Sequence, residues 1–123
     1  MAKTVLVHSE SRKGRPVYAV LGSRRWECEW YELTERAERR RLADPDNYEH
    51  DRDCDEVCCS SAHRTKEQAI EAGRKEAKNS VYGVAIVQEH SLDWYVEEDN
   101  VGEWEPTGPQ IEVDAATGEA NEV

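Results

Sequence analysis

Thr65-Lys66-Glu67-Gln68-Ala69-Ile70-Glu71-Ala72-Gly73-Arg74-Lys75-Glu76-Ala77-Lys78, then Asn79-Ser80, then Val81-Tyr82-Gly83-Val84-Ala85-Ile86-Val87-Gln88, is the stretch that decides the fold. Thr65 with Gln68 three residues on is the capping-box pattern: the hydroxyl takes a free backbone N–H, and the amide side chain reaches back to the cap. A helix is therefore expected over residues 66–78. Ala69, Ile70, Gly73 and Ala77 share one helical face, while Glu67, Glu71, Arg74, Lys75 and Lys78 fall on the other. Glu71 also precedes Lys75 by four residues, a favourable pair. Small inward residues let a helix lie close against a flat partner, which in a two-layer domain is a sheet. Asn79 and Ser80 end the helix. Residues 81–87 form a nearly unbroken apolar run rich in β-branched side chains, which reads as a central strand covered on both faces.

Working outward, residues 4–8 and 17–21 are short β-prone runs joined by a polar link containing Gly14, and they read as a hairpin. Residues 25–33 alternate Trp26, Cys28 and Trp30 with Glu27 and Glu29, the period of a half-buried strand. Thr34 is placed to cap a second, shorter helix over residues 35–43, which Asp44-Pro45 would stop. A polar loop follows, and then a short strand from residue 56 to 62. Past the central strand, Glu89-His90-Ser91 reads as a turn and residues 92–97 as a strand pairing antiparallel with 81–87. Residues 103–105 read as a short edge strand. The expectation is an α+β, two-layer domain over residues 1–111, with a mainly antiparallel sheet of strands 4–8, 17–21, 25–33, 81–88 and 92–97. Helix 66–78 would cover one face. Residues 112–123, rich in acid, Ala and Gly, are expected to form a disordered tail.

The chain has 123 residues, 37% of them hydrophobic, with no Phe, four Trp and five Tyr. That suits one domain with a modest core in which Trp and Tyr supply the bulk. No stretch reaches the roughly 20 apolar residues of a membrane helix, and the start lacks the layout of a secretory signal. A cytoplasmic protein is expected, with its four cysteines reduced or on a metal.

Charge is distributed unevenly. Residues 1–78 hold all 16 Lys and Arg and 16 acids, whereas the remaining 45 residues hold 11 acids and no base, so the whole net charge of −11 belongs to that second part. Salt adaptation would make the chain acidic throughout, and direct nucleic-acid binding needs a basic surface that this field opposes. A solvated face is the simplest reading. The sharper one takes Trp94, Tyr95, Glu97, Glu98, Asp99, Glu103, Trp104 and Glu105 as a partner-binding surface for a basic, nucleic-acid-binding site on a host protein. By analogy of size and charge alone, that is the behaviour of small phage or mobile-element anti-defence inhibitors of the anti-CRISPR kind. Arg24-Arg25 and residues 36–41 are the alternative counter-charges, within the molecule or in a homodimer.

His50, Cys54, Cys58, Cys59 and His63 fall within fourteen residues and offer the thiolate and imidazole ligands that zinc prefers, so a small zinc-binding structural or interaction domain is the alternative function. The spacing lacks a Cys-x-x-Cys knuckle. Thiols packed as small apolar groups, or a vicinal disulfide, are the competing readings. No nucleophile signature or phosphate-cradling glycine loop is present, so the chain is expected not to be an enzyme and to need no cofactor.

Overall fold

The computed structural model describes residues 2–49 and 55–123. In chain order the elements are β1 (Thr4–Val7), a 3-10 turn (His8–Glu10), β2 (Tyr18–Val20), β3 (Arg24–Leu33), α1 (Glu35–Ala43), β4 (Glu56–His63), α2 (Lys66–Glu76) with a 3-10 turn (Ala77–Asn79), β5 (Val84–Val96), β6 (Val101–Asp114) and β7 (Ala120–Glu122). The strands make one seven-stranded sheet in the order β2-β1-β6-β5-β3-β4, with β7 alongside the far end of β6. All neighbours are antiparallel except β1 and β6. The class is the expected α+β, and no helix among the described residues is long and apolar enough to cross a membrane.

Both helices start where their caps dictate. Thr65 Oγ1 accepts from the Gln68 N–H at 3.2 Å, and Gln68 Oε1 accepts from the Thr65 N–H at 3.3 Å. Thr34 Oγ1 accepts from the Ala37 N–H at 3.2 Å. Each cap contributes about 1 kcal/mol. Ala69, Gly73 and Ala77 are buried against Cys28, Trp30, Ala85, Val87, Ile111 and Val113, which make up the main core. A Cβ on Gly73 would sit 3.0 Å from Val113 Cγ2 and 3.5 Å from Val87 Cγ2, so glycine is what lets α2 approach β5 and β6.

A second, smaller core of Val5, Val7 and Leu92, with Ala19, Leu21, Tyr95 and Trp104 packed on it, lies on the other face. The side follows from alternation. Cys28 pairs with Val87 and faces α2, whereas Arg25 pairs with His90 and so points away; Arg25 in turn stacks on Trp104. Gly102 closes this core, because a Cβ there would fall 2.7 Å from Val5 Cγ2.

Five expectations are corrected. Residues 89–91 do not turn: they pair with β3 on one side (Trp26 with Glu89, Arg25 with His90, Arg24 with Ser91) and with β6 on the other, so their backbone is held in a ladder. Residues 92–97 therefore continue β5 and do not fold back on 81–87; Trp94 and Val96 pair with Glu103 and Val101. Residues 103–105 form part of a 14-residue strand, with Pro106 and Pro109 placed where β6 has no second neighbour, between β1 at Val101–Gly102 and β7 at Ile111–Val113. A missing N–H is tolerated there. Residues 112–123 hold the end of β6 and β7. Val113 is fully buried, Ala115 and Ala120 pack on the main core, and Asp114 Oδ1 accepts from the N–H groups of Ala116 and Thr117 to shape the turn between. The run 81–87 is also covered on one face only: Ala85 and Val87 are buried, while Val84 and Ile86 stay half-exposed.

Overpacking either glycine tests the two faces separately. Gly73→Leu and Gly102→Ala are each expected to cost about 1–3 kcal/mol in thermal or urea melts. Parent-like melting of one variant would show that its face is not tightly packed.

Candidate functional site: the acidic hairpin

The β5–β6 hairpin positions most of the residues singled out by charge. Its turn is Glu97-Glu98-Asp99-Asn100, with the Asn100 N–H donating to Glu97 O at 3.3 Å and Asn100 in the left-handed region at φ +53°. Asparagine tolerates that conformation better than most side chains. Tyr95 Oη donates to Asn100 Oδ1 at 3.2 Å, and the Leu6 N–H donates to Asn100 O at 2.9 Å, which ties the turn to β1. Glu97, Glu98 and Asp99 are thus held at the tip and exposed.

A register shift between Ser91 and Trp94 decides how the aromatic residues divide. The extra residue puts Leu92 and Tyr95 on the same face, against the second core, and turns Trp94 to the other face, where it is 46% exposed beside Glu103. Trp104 goes with Tyr95. Its ring packs on the second core with the Arg25 guanidinium 4.2 Å from its centroid, and Lys3 Nζ lies 4.4 Å from that of Tyr95. The eight expected residues therefore do not form one surface. Trp94, Glu103, Glu105 and the tip acids face outward, whereas Tyr95 and Trp104 are framework. Asp93, exposed next to Trp94, belongs to the surface and was not among the eight; its place beside an exposed Trp was the available signal.

The expected internal counter-charges go elsewhere. Arg24 pairs with Glu89 at 3.5 Å, and Arg25 pairs with Glu10 and, through Nε at 3.0 Å, with Glu27. Arg39 and Arg41 pair with Glu35 and Glu38 on their own helix. Among the described residues, no ion pair reaches Asp93, Glu97, Glu98, Asp99, Glu103 or Glu105.

His50 and Cys54 of the zinc expectation lie outside the described residues. Cys58 and Cys59 are neighbours in a strand and point to opposite faces, Cys59 towards the main core beside Trp30 and Cys58 outward beside Tyr31. A single ion can use at most one of them, and the same divergence excludes a vicinal disulfide in this conformation; Cys28, Cys58 and Cys59 are free thiols. The hydrogen bond from Cys59 Sγ to Glu32 Oε2, at 3.0 Å, favours the neutral thiol and pushes its pKa up to about 11. Burial does the same to Cys28, also to about 11. His63 forms a pair that sequence reasoning missed, its Nε2 lying 2.7 Å from Ser61 Oγ two residues away on one strand face. That is a hydroxyl and a base within reach, but among the described residues no hydrogen bond orients the other ring nitrogen.

Comparison with protein families, curated proteins and solved structures finds no match for this chain.

The thiols give a direct check of this geometry. At pH 8, Cys28 is expected to stay unlabelled by iodoacetamide in the folded protein, with Cys58 labelled ahead of Cys59, as read by peptide mass spectrometry. Since the thiolate is the reactive form, Cys59 labelling should accelerate as pH rises towards about 11. Neutral Cys28 adds stability that is full below about 9 and lost as pH climbs through about 11. Rapid Cys28 labelling at pH 8 would contradict its place in the core.

Proposed function

We propose that this protein is a non-catalytic binding module whose acidic β5–β6 hairpin occupies a basic, nucleic-acid-binding site on a partner protein, in the manner of a phage or mobile-element anti-defence inhibitor. One observation carries the reading: among the described residues no ion pair reaches the hairpin's six outward carboxylates, while Arg24, Arg25, Arg39 and Arg41, the counter-charges expected from sequence, are engaged by other acids. Two carboxylates about 7 Å apart repel by roughly 0.6 kcal/mol even in water, and the repulsion grows where water is excluded. A basic cleft turns that repulsion into attraction and steers the encounter. Trp94 supplies the large, exposed apolar contact that charge alone lacks. The same field disfavours direct contact with nucleic acid.

The decisive experiment is a pull-down from host or infected cells at low and high salt. A basic protein retained at low salt and released at high salt is expected. Changing Glu97, Glu98 and Asp99 together to Lys should leave stability within about 0.5 kcal/mol and abolish that binding. Full binding by this variant would show that the hairpin is not the site. Trp94→Ala is expected to cost at least about 2 kcal/mol of binding with little change in melting. Trp104→Ala should instead cost about 3 kcal/mol of stability, because its ring belongs to the second core.

A further inference from the structure

The sheet treats its two edges differently. On the β6 side the outermost strands, β2 and β7, have three residues each, the short-edge device that discourages pairing with other chains. On the other side β4 presents eight residues, Glu56-Val57-Cys58-Cys59-Ser60-Ser61-Ala62-His63. Its middle six carry no charge and no proline, and among the described residues only β3 pairs with it. Val57 is 46% exposed, and Cys58, Ser60 and Ala62 are exposed. Nothing in these eight residues protects the edge.

The charges that flank this neutral run identify its occupant. Asp55 and Glu56 stand at one end, His63 and Arg64 at the other. A strand that opens on an acid and is followed, one residue past its end, by the base Arg64 is complementary to itself when reversed. Two identical antiparallel strands related by a twofold axis perpendicular to the sheet must place a residue opposite its own copy. With Ser60 on the axis, Cys59 faces Ser61 of the second copy, Val57 faces His63, and Glu56, which also accepts from Tyr82 Oη at 2.8 Å, meets Arg64, the bend residue just past the strand's end, twice by symmetry. Opposite charges directly across a ladder stabilise it, and small side chains at the centre allow close approach. The axis also keeps both α2 helices on one face of the joined sheet.

We propose that a second copy of this chain pairs with β4 antiparallel about Ser60, joining the two sheets into one. The acidic hairpin is left clear, because it extends from β5 and β6, past the last β3–β5 pair at Arg24 and Ser91. The pairing thus stands independently of the function proposed above. Two strands alone bury less than the roughly 1,200 Å² of a standard stable interface, so the dimer dissociates in the micromolar range. Backbone hydrogen bonds carry most of the contact, so high salt does not dissolve it.

Sedimentation of the reduced protein from micromolar to submillimolar concentration tests this. The parent should move from monomer to dimer and persist as dimer at high salt. Ser60→Lys sets two like charges face to face and should raise the dissociation constant at least about tenfold without altering the circular dichroism spectrum. Arg64→Glu should weaken the dimer, and Arg64→Glu with Glu56→Arg should restore it, which tests the register even if Ser60→Lys disturbs the fold. A parent that stays monomeric throughout, or a dimer indifferent to both sets of variants, would overturn the proposal.

Discussion

The ladder between β5 and β6 is the contact on which the rest of the molecule depends. It runs from Val84 opposite Asp114 to Val96 opposite Val101, and each of the other sheet neighbours attaches to one of these two strands or to a strand that does. Its two irregularities matter as much as its length. One lies between Val87 and Glu89, where β6 carries Gly108 at φ +69° and accepts from Gln88 Nε2 at 2.9 Å. The other lies between Ser91 and Trp94. The first is a shift of two residues and leaves the alternation in phase, whereas the second is a shift of one and brings Tyr95, in place of Trp94, to the face of Leu92. Alternation and that one shift let the same pair of strands bury Ala85, Val87, Ile111 and Val113 under α2 at one end and Leu92, Tyr95 and Trp104 on the opposite face at the other. Two small cores on opposite faces suit a chain with few apolar residues.

Local signals were legible and long-range ones were not. Thr65 with Gln68, and Thr34 with its following helix, act within one turn, so both helix starts could be placed from sequence. The alternation of Trp26, Cys28 and Trp30 marked β3 because that strand is regular along its length. Residues 92–97 misled because Leu92, Trp94 and Val96 alternate perfectly in sequence, while the shift at Ser91 makes Leu92 and Tyr95 the inward pair. The end of the chain misled through composition. Acids, Ala and Gly outweighed the alternation of Ile111 and Val113 with Glu112 and Asp114, and only pairing with β5 makes that alternation count. At the candidate site, the tip acids Glu97, Glu98 and Asp99 were visible from charge alone, but the division of Trp94 from Trp104 was not, since it depends on the same shift.

The acidic segment is tolerated because of where the ladder puts it. Apart from Glu89, which lies opposite Thr107 and pairs with Arg24, its carboxylates gather at the two ends of β6: Asp93, Glu97, Glu98, Asp99, Glu103 and Glu105 by the β5–β6 turn, and Glu112, Asp114, Glu119 and Glu122 by the β6–β7 turn. Between them, the stretch of β6 from Pro106 to Gln110 carries no charge. Distance and solvent keep the two groups from acting as one field, since exposed charges separated by more than about 8–10 Å are largely screened at physiological salt. Backbone hydrogen bonding holds the two strands, so the tip carboxylates Glu97, Glu98 and Asp99 are not asked to pair for the fold to form, whereas Glu89 pairs with Arg24 and Asp114 shapes the β6–β7 turn. That separation of tasks leaves the tip carboxylates exposed and, among the described residues, outside any ion pair. Halophilic adaptation accounts for it poorly, since the first 78 residues carry equal numbers of acids and bases and several of their arginines are spent on neighbouring acids.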